Sequence, residues 1–225
     1  MQRTEIKQID DLEAEIDAEL AKLRTLNTAA VRALRRKFSQ RLAGARAELV
    51  FQLGLRLSQR GDHLRRFVGY ELIQHHREAL RSLNSKRLEQ LGRGIDSWAA
   101  VDMFACYLAG PAWREHQVPD GLIAEWARSK DKWRRRAAVV STVPLNNKAR
   151  GGSGDARRSL AICKLLMNDR DDMVVKGLSW ALRELAKRNP GAVVQFVSSA
   201  KEFLAPRVIR EVNNKLTTGL KNPKR

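Results

Sequence analysis

Two cysteines, Cys106 and Cys163, are all that this 225-residue chain contains. That is too few for a disulfide framework, and their spacing suits no metal, so both read as core thiols of a reducing compartment. The four histidines, His63, His75, His76 and His116, form neither H-E-x-x-H nor a Cys/His ligand set, which leaves zinc chemistry without support. A Gly-x-Ser-x-Gly nucleophile elbow is missing too, and with it the case for covalent serine catalysis. Nowhere do eighteen apolar residues run together, which excludes a helical membrane span. The N-terminus has no signal-peptide core either. The expectation is a cytoplasmic protein with no cofactor and no metal.

Acidic residues are the next scarcity. Asp and Glu number 25 against 43 Lys and Arg, a formal net charge of +18 with a sequence pI near 10.7. Such a balance favours polyanionic partners, nucleic acid first among them. The excess is uneven: residues 1–30 hold four basic and seven acidic side chains, and the remainder 39 against 18. A binding surface is therefore expected beyond the first helix. Ile9, Leu12, Ile16, Leu20 and Leu23 recur there at helical spacing, predicting a capping helix within 1–27. No composition shift divides the chain, so 1–225 reads as one domain and 217–225 as a short basic tail.

Strand signals are nearly absent, while Ala, Leu, Arg, Lys and Glu dominate, so the fold class is all-α. Breaks at Asn27-Thr28, Gly61-Asp62, Gly92 to Gly94, Gly110-Pro111, Pro119 to Gly121, Pro144 to Asp155, Asn189-Pro190 and Ala205-Pro206 leave about ten to twelve helices. Asp62, Asp96, Asp131 and Asp171 each precede a helical apolar pattern, at spacings of 34, 35 and 40 residues. That is the period of helix-pair solenoids, with each aspartate as an N-cap. The expected architecture is a superhelical solenoid with a concave basic face.

Counted from those aspartates, Trp98 stands at plus two, Asp102 at plus six, Arg136 at plus five and Trp180 at plus nine. On stacked helices these offsets share one stripe, so the four side chains can converge. Asp102 lies in the apolar run Trp98-Ala-Ala-Val-Asp102-Met-Phe-Ala-Cys106, where a charge is costly unless paired or facing a groove. An ion pair to a neighbouring repeat, for instance to Arg136, is its plain structural reading. A carboxylate held against a cationic substrate or transition state is its functional one. Trp98 and Trp180, each ordinary core if alone, together suit a cage for a positively charged or sugar-like group. Trp133 aligns with Trp98 but precedes Arg134, Arg135 and Arg136, and Trp113 and Trp126 read as core. Of the three arginines, Arg136 falls on the common stripe. Lys176 and Arg183 extend a cationic row suited to phosphate, and Arg134 and Arg135 add to the DNA-binding set. The segment Pro144 to Asp155 reads as a mobile Gly-rich loop able to touch a phosphate, without the spacing of a P-loop.

With these residues in view, the chain resembles the AlkD-type DNA alkylation repair proteins, bacterial glycosylases built from HEAT-like repeats. The resemblance runs from about Val31 to Leu216. It rests on Ile95-Asp-Ser-Trp98-Ala-Ala-Val-Asp102, on Ser129-Lys-Asp-Lys-Trp133-Arg-Arg-Arg136, and above all on Asp171-Asp-Met-Val-Val-Lys176-Gly-Leu-Ser-Trp180-Ala-Leu-Arg183. It implies Asp102 as catalytic carboxylate, Trp98 and Trp180 as groove tryptophans and Arg136 as active-site arginine. On chemical grounds Arg136 is then expected to hold a phosphate and temper the carboxylate. The resemblance also implies a monomeric, monofunctional DNA glycosylase of the bacterial cytosol or nucleoid, excising N3- and N7-alkylated purines from duplex DNA in base excision repair. The acidic first helix and the Gly-rich insertion before Asp155 have no counterpart in that pattern. A non-catalytic HEAT-like binder of branched or distorted DNA is the second reading, which the intact Asp102 disfavours. A protein–protein scaffold is the third, and leaves the charge and the aromatic and acidic cluster unexplained.

Overall fold

The structure is a computed structural model that describes residues 3–23, 27–60 and 62–223. Among the described residues every regular element is helical, as the composition predicts. The chain falls into two compact units, Met1–Gly94 and Ile95–Arg225.

The first unit holds α1 (Arg3–Ala21), α2 (Thr28–Arg41), α3 (Ala47–Gln59), α4 (His63–His75), α5 (Arg77–Arg81) and α6 (Ser85–Leu91). The expected capping helix is α1; positions 1, 2 and 24–26 of the range 1–27 lie outside the described residues. Ile9, Leu12, Ile16 and Leu20 are buried at helical spacing as α1 packs on α2 and α3. Its acidic face meets cations of its own unit: Glu15 pairs with Arg41, Glu19 with Lys37, Glu5 with Arg46, Glu13 with Arg56 and Arg60, and Asp17 with Arg65. Exposed pairs of this kind are each worth roughly 0–1 kcal/mol, but together they neutralise much of the basic charge on α2 to α4. Asp62 caps α4, accepting from the Leu64 N–H at 2.6 Å.

The second unit holds α7 (Trp98–Phe104), a π turn (Ala105–Ala109), α8 (Gly110–Arg114), α9 (Asp120–Ala127), α10 (Lys132–Val140), α11 (Val143–Asn146), α12 (Ala156–Leu166), α13 (Asp172–Leu185), α14 (Pro190–Ser199) and α15 (Pro206–Thr218). Within it α7 packs on α10, α10 on α13 and α13 on α15, while α9 and α12 back this row. Each repeat contacts its neighbours in order, the layout of a helix-pair solenoid. Asp131 and Asp171 cap α10 and α13, accepting from Trp133 N and Met173 N, each at 2.9 Å. Gly177 lets α13 approach α10, since a Cβ there would stand 2.9 Å from Val139 Cγ1. That close approach brings the Trp180 helix against the Arg136 helix.

The structure corrects several expectations. Ser97, not Asp96, caps α7, its hydroxyl accepting from Ala100 N; one residue later, Ser97 sits at the true helix boundary. Gly110-Pro111 is not a break: the helix runs on through the π turn, where Gly110 N–H reaches Ala105 O, a wider ring that accommodates the proline's missing donor. Pro144 to Asp155 is no plain mobile loop. It contains α11 and a short 3-10 turn (Lys148–Arg150), and Gly152 N, Gly154 N and Asp155 N bond to Asn147 O, Leu145 O and Asn146 Oδ1, each at 2.9 Å. The basic tail begins inside α15, which ends on left-handed Gly219; Lys224 and Arg225 lie outside the described residues. Fifteen α-helical segments occur among the described residues, more than the sequence breaks suggest, because four- and five-residue turns such as α5, α8 and α11 leave no pattern.

Candidate active site

Trp98 is the first residue of α7 and Asp102 stands one turn further on, so both project from the same side of that helix. Arg136 comes from the second turn of α10, and Lys176, Trp180 and Arg183 from successive turns of α13. These six side chains, with Met173 and Lys221, line one cleft of about 300 Å³. The repeat offsets therefore converge on one place.

Asp102 and Arg136 meet as a two-pronged ion pair, Nε donating to Oδ1 at 2.9 Å and Nη2 to Oδ2 at 2.8 Å. Arg136 is buried, and its remaining nitrogen, Nη1, donates to the Met173 carbonyl at the start of α13. All three guanidinium nitrogens are thus engaged within the protein. The planar fork fixes the carboxylate plane in a way that lysine could not. Burial pushes the Asp102 carboxyl above its ordinary value, with the Arg136 hydrogen bonds and charge pulling against that rise. The result is a carboxylate held rigid and poorly hydrated.

The aromatic pair differs from ordinary core. Trp98 is 58% exposed, an unusual state for so large an apolar surface, and Trp180 is half-buried. Trp113 and Trp126 are core, as read: Trp113 donates to Asp120 Oδ1 at 2.8 Å, and Trp126 lies 5.6 Å from the Phe104 ring. Trp133 is half-buried and outside the cleft lining, with Lys132 Nζ 5.1 Å from its ring centre.

Not every predicted cation arrives. Arg134 lies over the Trp126 ring at 5.7 Å. Arg135 donates to Asp169 Oδ2 at 2.6 Å and to the Ser129 and Lys130 carbonyls, tying α10 to its neighbours. Neither lines the cleft. Arg136 does, with three of its five N–H groups spent on Asp102 and the Met173 carbonyl. Lys176 pairs with exposed Asp172 at 2.6 Å. Lys221, in the segment read only as a tail, is the cleft cation that sequence reading missed. Glu211, buried behind the cleft wall, was missed as well; an acid amid the apolar positions Val208 and Val212 of α15 is the signal that would have found it.

Cys106, four residues beyond Asp102, is pushed up to about 12 by burial, and Cys163 likewise, so neither thiol is a nucleophile at neutral pH. Among the described residues no group of three His, Cys, Asp or Glu side chains is placed to hold a metal ion, and no helix is long and apolar enough to cross a membrane.

A family model described as DNA alkylation repair enzyme matches residues 13–216. The chain belongs to the DNA alkylation repair enzyme family. The matched stretch includes every cleft residue except Lys221. Comparison with curated proteins gives no match. Membership makes DNA the partner and alkylation repair the context in which the cleft is to be understood.

Proposed function

We propose that this member of the family is a DNA glycosylase that releases cationic N3- and N7-alkylated purines from duplex DNA. The observation that carries the reading is the cleft itself: a carboxylate clamped by a guanidinium fork, between an exposed and a half-buried tryptophan, with further cations on the wall. Alkylation at N3 or N7 makes the base a good leaving group, so no protein acid is needed to protonate it. The barrier lies in the sugar. As the C1′–N bond lengthens, the deoxyribose gains oxocarbenium character, and a rigid, weakly hydrated carboxylate interacts with that charge more strongly in the transition state than in the ground state.

In this mechanism Asp102 supplies the field and orients the attacking water, Arg136 holds the carboxylate in place, and Trp98 and Trp180 grip the sugar and backbone of the lesion-bearing nucleotide. The released products are the free alkylated base and an abasic site, with the water oxygen ending on C1′. The deciding experiment incubates the protein with duplex DNA carrying one N7-methylguanine and measures base release. Release well above the spontaneous rate supports the reading. Binding without release would favour the non-catalytic binder of distorted DNA, and efficient excision of uracil, a neutral base that leaves only with help this cleft is not proposed to give, would overturn the mechanism.

A further inference from the structure

Arg136 is buried and commits three of its five N–H groups to Asp102 and Met173, while a DNA strand laid in this cleft carries a phosphate at every nucleotide. Other cations line the same cleft. On the opposing wall Arg183 uses only Nε, which donates to Ser179 Oγ at 3.2 Å; among the described residues its two terminal nitrogens have no hydrogen-bond partner. It is largely buried, with 17% of its side chain exposed. Burial lowers its affinity for the proton, against the pull of Glu211 and Glu184, which marks a cation short of counter-charge. Lys221, its side chain 45% exposed, lines the same cleft.

Both cations face one acid. Glu211 of α15 is 5% exposed; its Oε2 accepts from Ser179 Oγ at 2.6 Å and stands 3.9 Å from Arg183 Nε, while Oε1 is 3.5 Å from Lys221 Nζ. At 3.9 Å the carboxylate orients Arg183 without occupying its fork. Ser179 bridges the two, accepting from Arg183 and donating to Glu211. Lys176, the remaining cation of the wall, has exposed Asp172 at 2.6 Å, and Asp172 also meets Arg207. Arg183 and Lys221 thus share one acid at 3.9 and 3.5 Å, whereas Lys176 has a close partner of its own.

We propose that Arg183 and Lys221 form a phosphodiester-binding subsite on the cleft wall, with Glu211 as the positioning residue that braces them. The subsite rests on the glycosylase reading for its substrate, a nucleotide seated at Asp102, and adds the group that holds that nucleotide's flanking phosphate. Arg183 offers two parallel donors to two phosphate oxygens and Lys221 a mobile point charge. Glu211 touches no substrate; its charge keeps both cations turned toward the cleft. The chain's C-terminal segment, through Lys221, thereby enters the site.

The test substitutes, one at a time, the phosphodiesters flanking an N7-methylguanine by neutral methylphosphonates and measures duplex binding alongside base release. For the unsubstituted protein, one linkage is expected to weaken binding by about fivefold to tenfold, as loss of a charge-assisted contact requires. For Lys221→Ala that penalty should shrink to about twofold or less, and the slope of log K against log[salt] should become shallower by about 1. Glu211→Gln keeps an acceptor for Ser179 and removes the charge; it is expected to reduce the same linkage's penalty, and Glu211→Asp to restore part of it. Should Glu211→Gln fail to fold, Lys221→Ala, at an exposed side chain, still decides the subsite. If every linkage penalises Lys221→Ala as it does the unsubstituted protein, the subsite is wrong. Absence of base release with a linkage-specific binding penalty would instead remove the glycosylase reading and leave the subsite standing.

Discussion

Asp102 and Arg136 are 34 residues apart in sequence and share two parallel hydrogen bonds of 2.9 and 2.8 Å, yet the Asp102 carboxyl is held above its ordinary value. Burial outweighs the ion pair. In the folded protein the neutral carboxyl is favoured relative to the unfolded chain, so its contribution to stability is full at low pH and lost as pH rises through the raised value. Catalysis needs the ionised form. The pair therefore supports a charge that the fold alone would disfavour, a common condition of functional groups.

Base release is accordingly expected to fall with a single-proton acid limb whose midpoint lies above the ordinary aspartate value of about 3.9. Single-turnover rates on an N7-methylguanine duplex, corrected for spontaneous loss, measure it between about pH 4 and 8. A rate that stays flat down to the ordinary carboxylate range would show that Asp102 titrates normally or takes no part.

Replacing Asp102 with Asn removes the charge and keeps the shape. Excision should slow by about 10²-fold or more, with affinity for unmodified duplex near the starting value, because a term specific to the transition state is lost. Arg136→Ala should act differently. It leaves a half-buried carboxylate without its partner and a Met173 carbonyl without its donor, so stability should drop by about 3 kcal/mol. Arg136→Lys should recover only part of this, since an ammonium cannot span both carboxylate oxygens. Denaturant melts separate the two residues: an Asp102→Asn variant as unstable as Arg136→Ala would give Asp102 a structural role.

What the sequence carried well was the frame. Asp131 and Asp171 cap the helices they were expected to cap, because an aspartate before an apolar period states a local geometry. From that frame the offsets of Trp98, Asp102, Arg136 and Trp180 led to a single cleft. What stayed hidden depended on partners. No pattern reveals that each Arg136 nitrogen already donates once within the protein. Arg135 faced Asp169 rather than the cleft, as adjacent helical positions diverge by about 100°. The π turn after Phe104 was invisible because a five-residue hydrogen-bond ring leaves no periodicity. Glu211 and Lys221 escaped because α15 begins at Pro206 without an aspartate cap, so the repeat count ended at α13.

Charge sets the next expectation. The chain's net charge is +18, but much of the basic surface of α2 to α4 already meets the acids of α1. Duplex binding should engage about five to seven phosphates, giving a slope of roughly −4 to −6 in log K against log[salt]. Fluorescence anisotropy at several salt concentrations measures it. A slope near zero would contradict an electrostatic interface, and one near −10 would mean that the α1 pairs open to release further cations.

Trp98 and Trp180 line the same cleft from α7 and α13 although 82 positions separate them. Trp98, at 58% exposure, has little packing to lose, so Trp98→Ala should leave the melting temperature near its starting value and still slow excision. Trp180 is half-buried, and Trp180→Phe keeps most of its packing while shortening the ring surface offered to the cleft. If both rings grip one nucleotide, their effects on single-turnover excision should be non-additive, with a coupling of about 0.5 to 3 kcal/mol in a double-mutant cycle. Binding to unmodified duplex should change less than excision, because the clamp acts on the nucleotide whose glycosidic bond is breaking. Folded variants with unaltered excision would remove the aromatic clamp, and strictly additive losses would mean that the two rings touch different parts of the DNA.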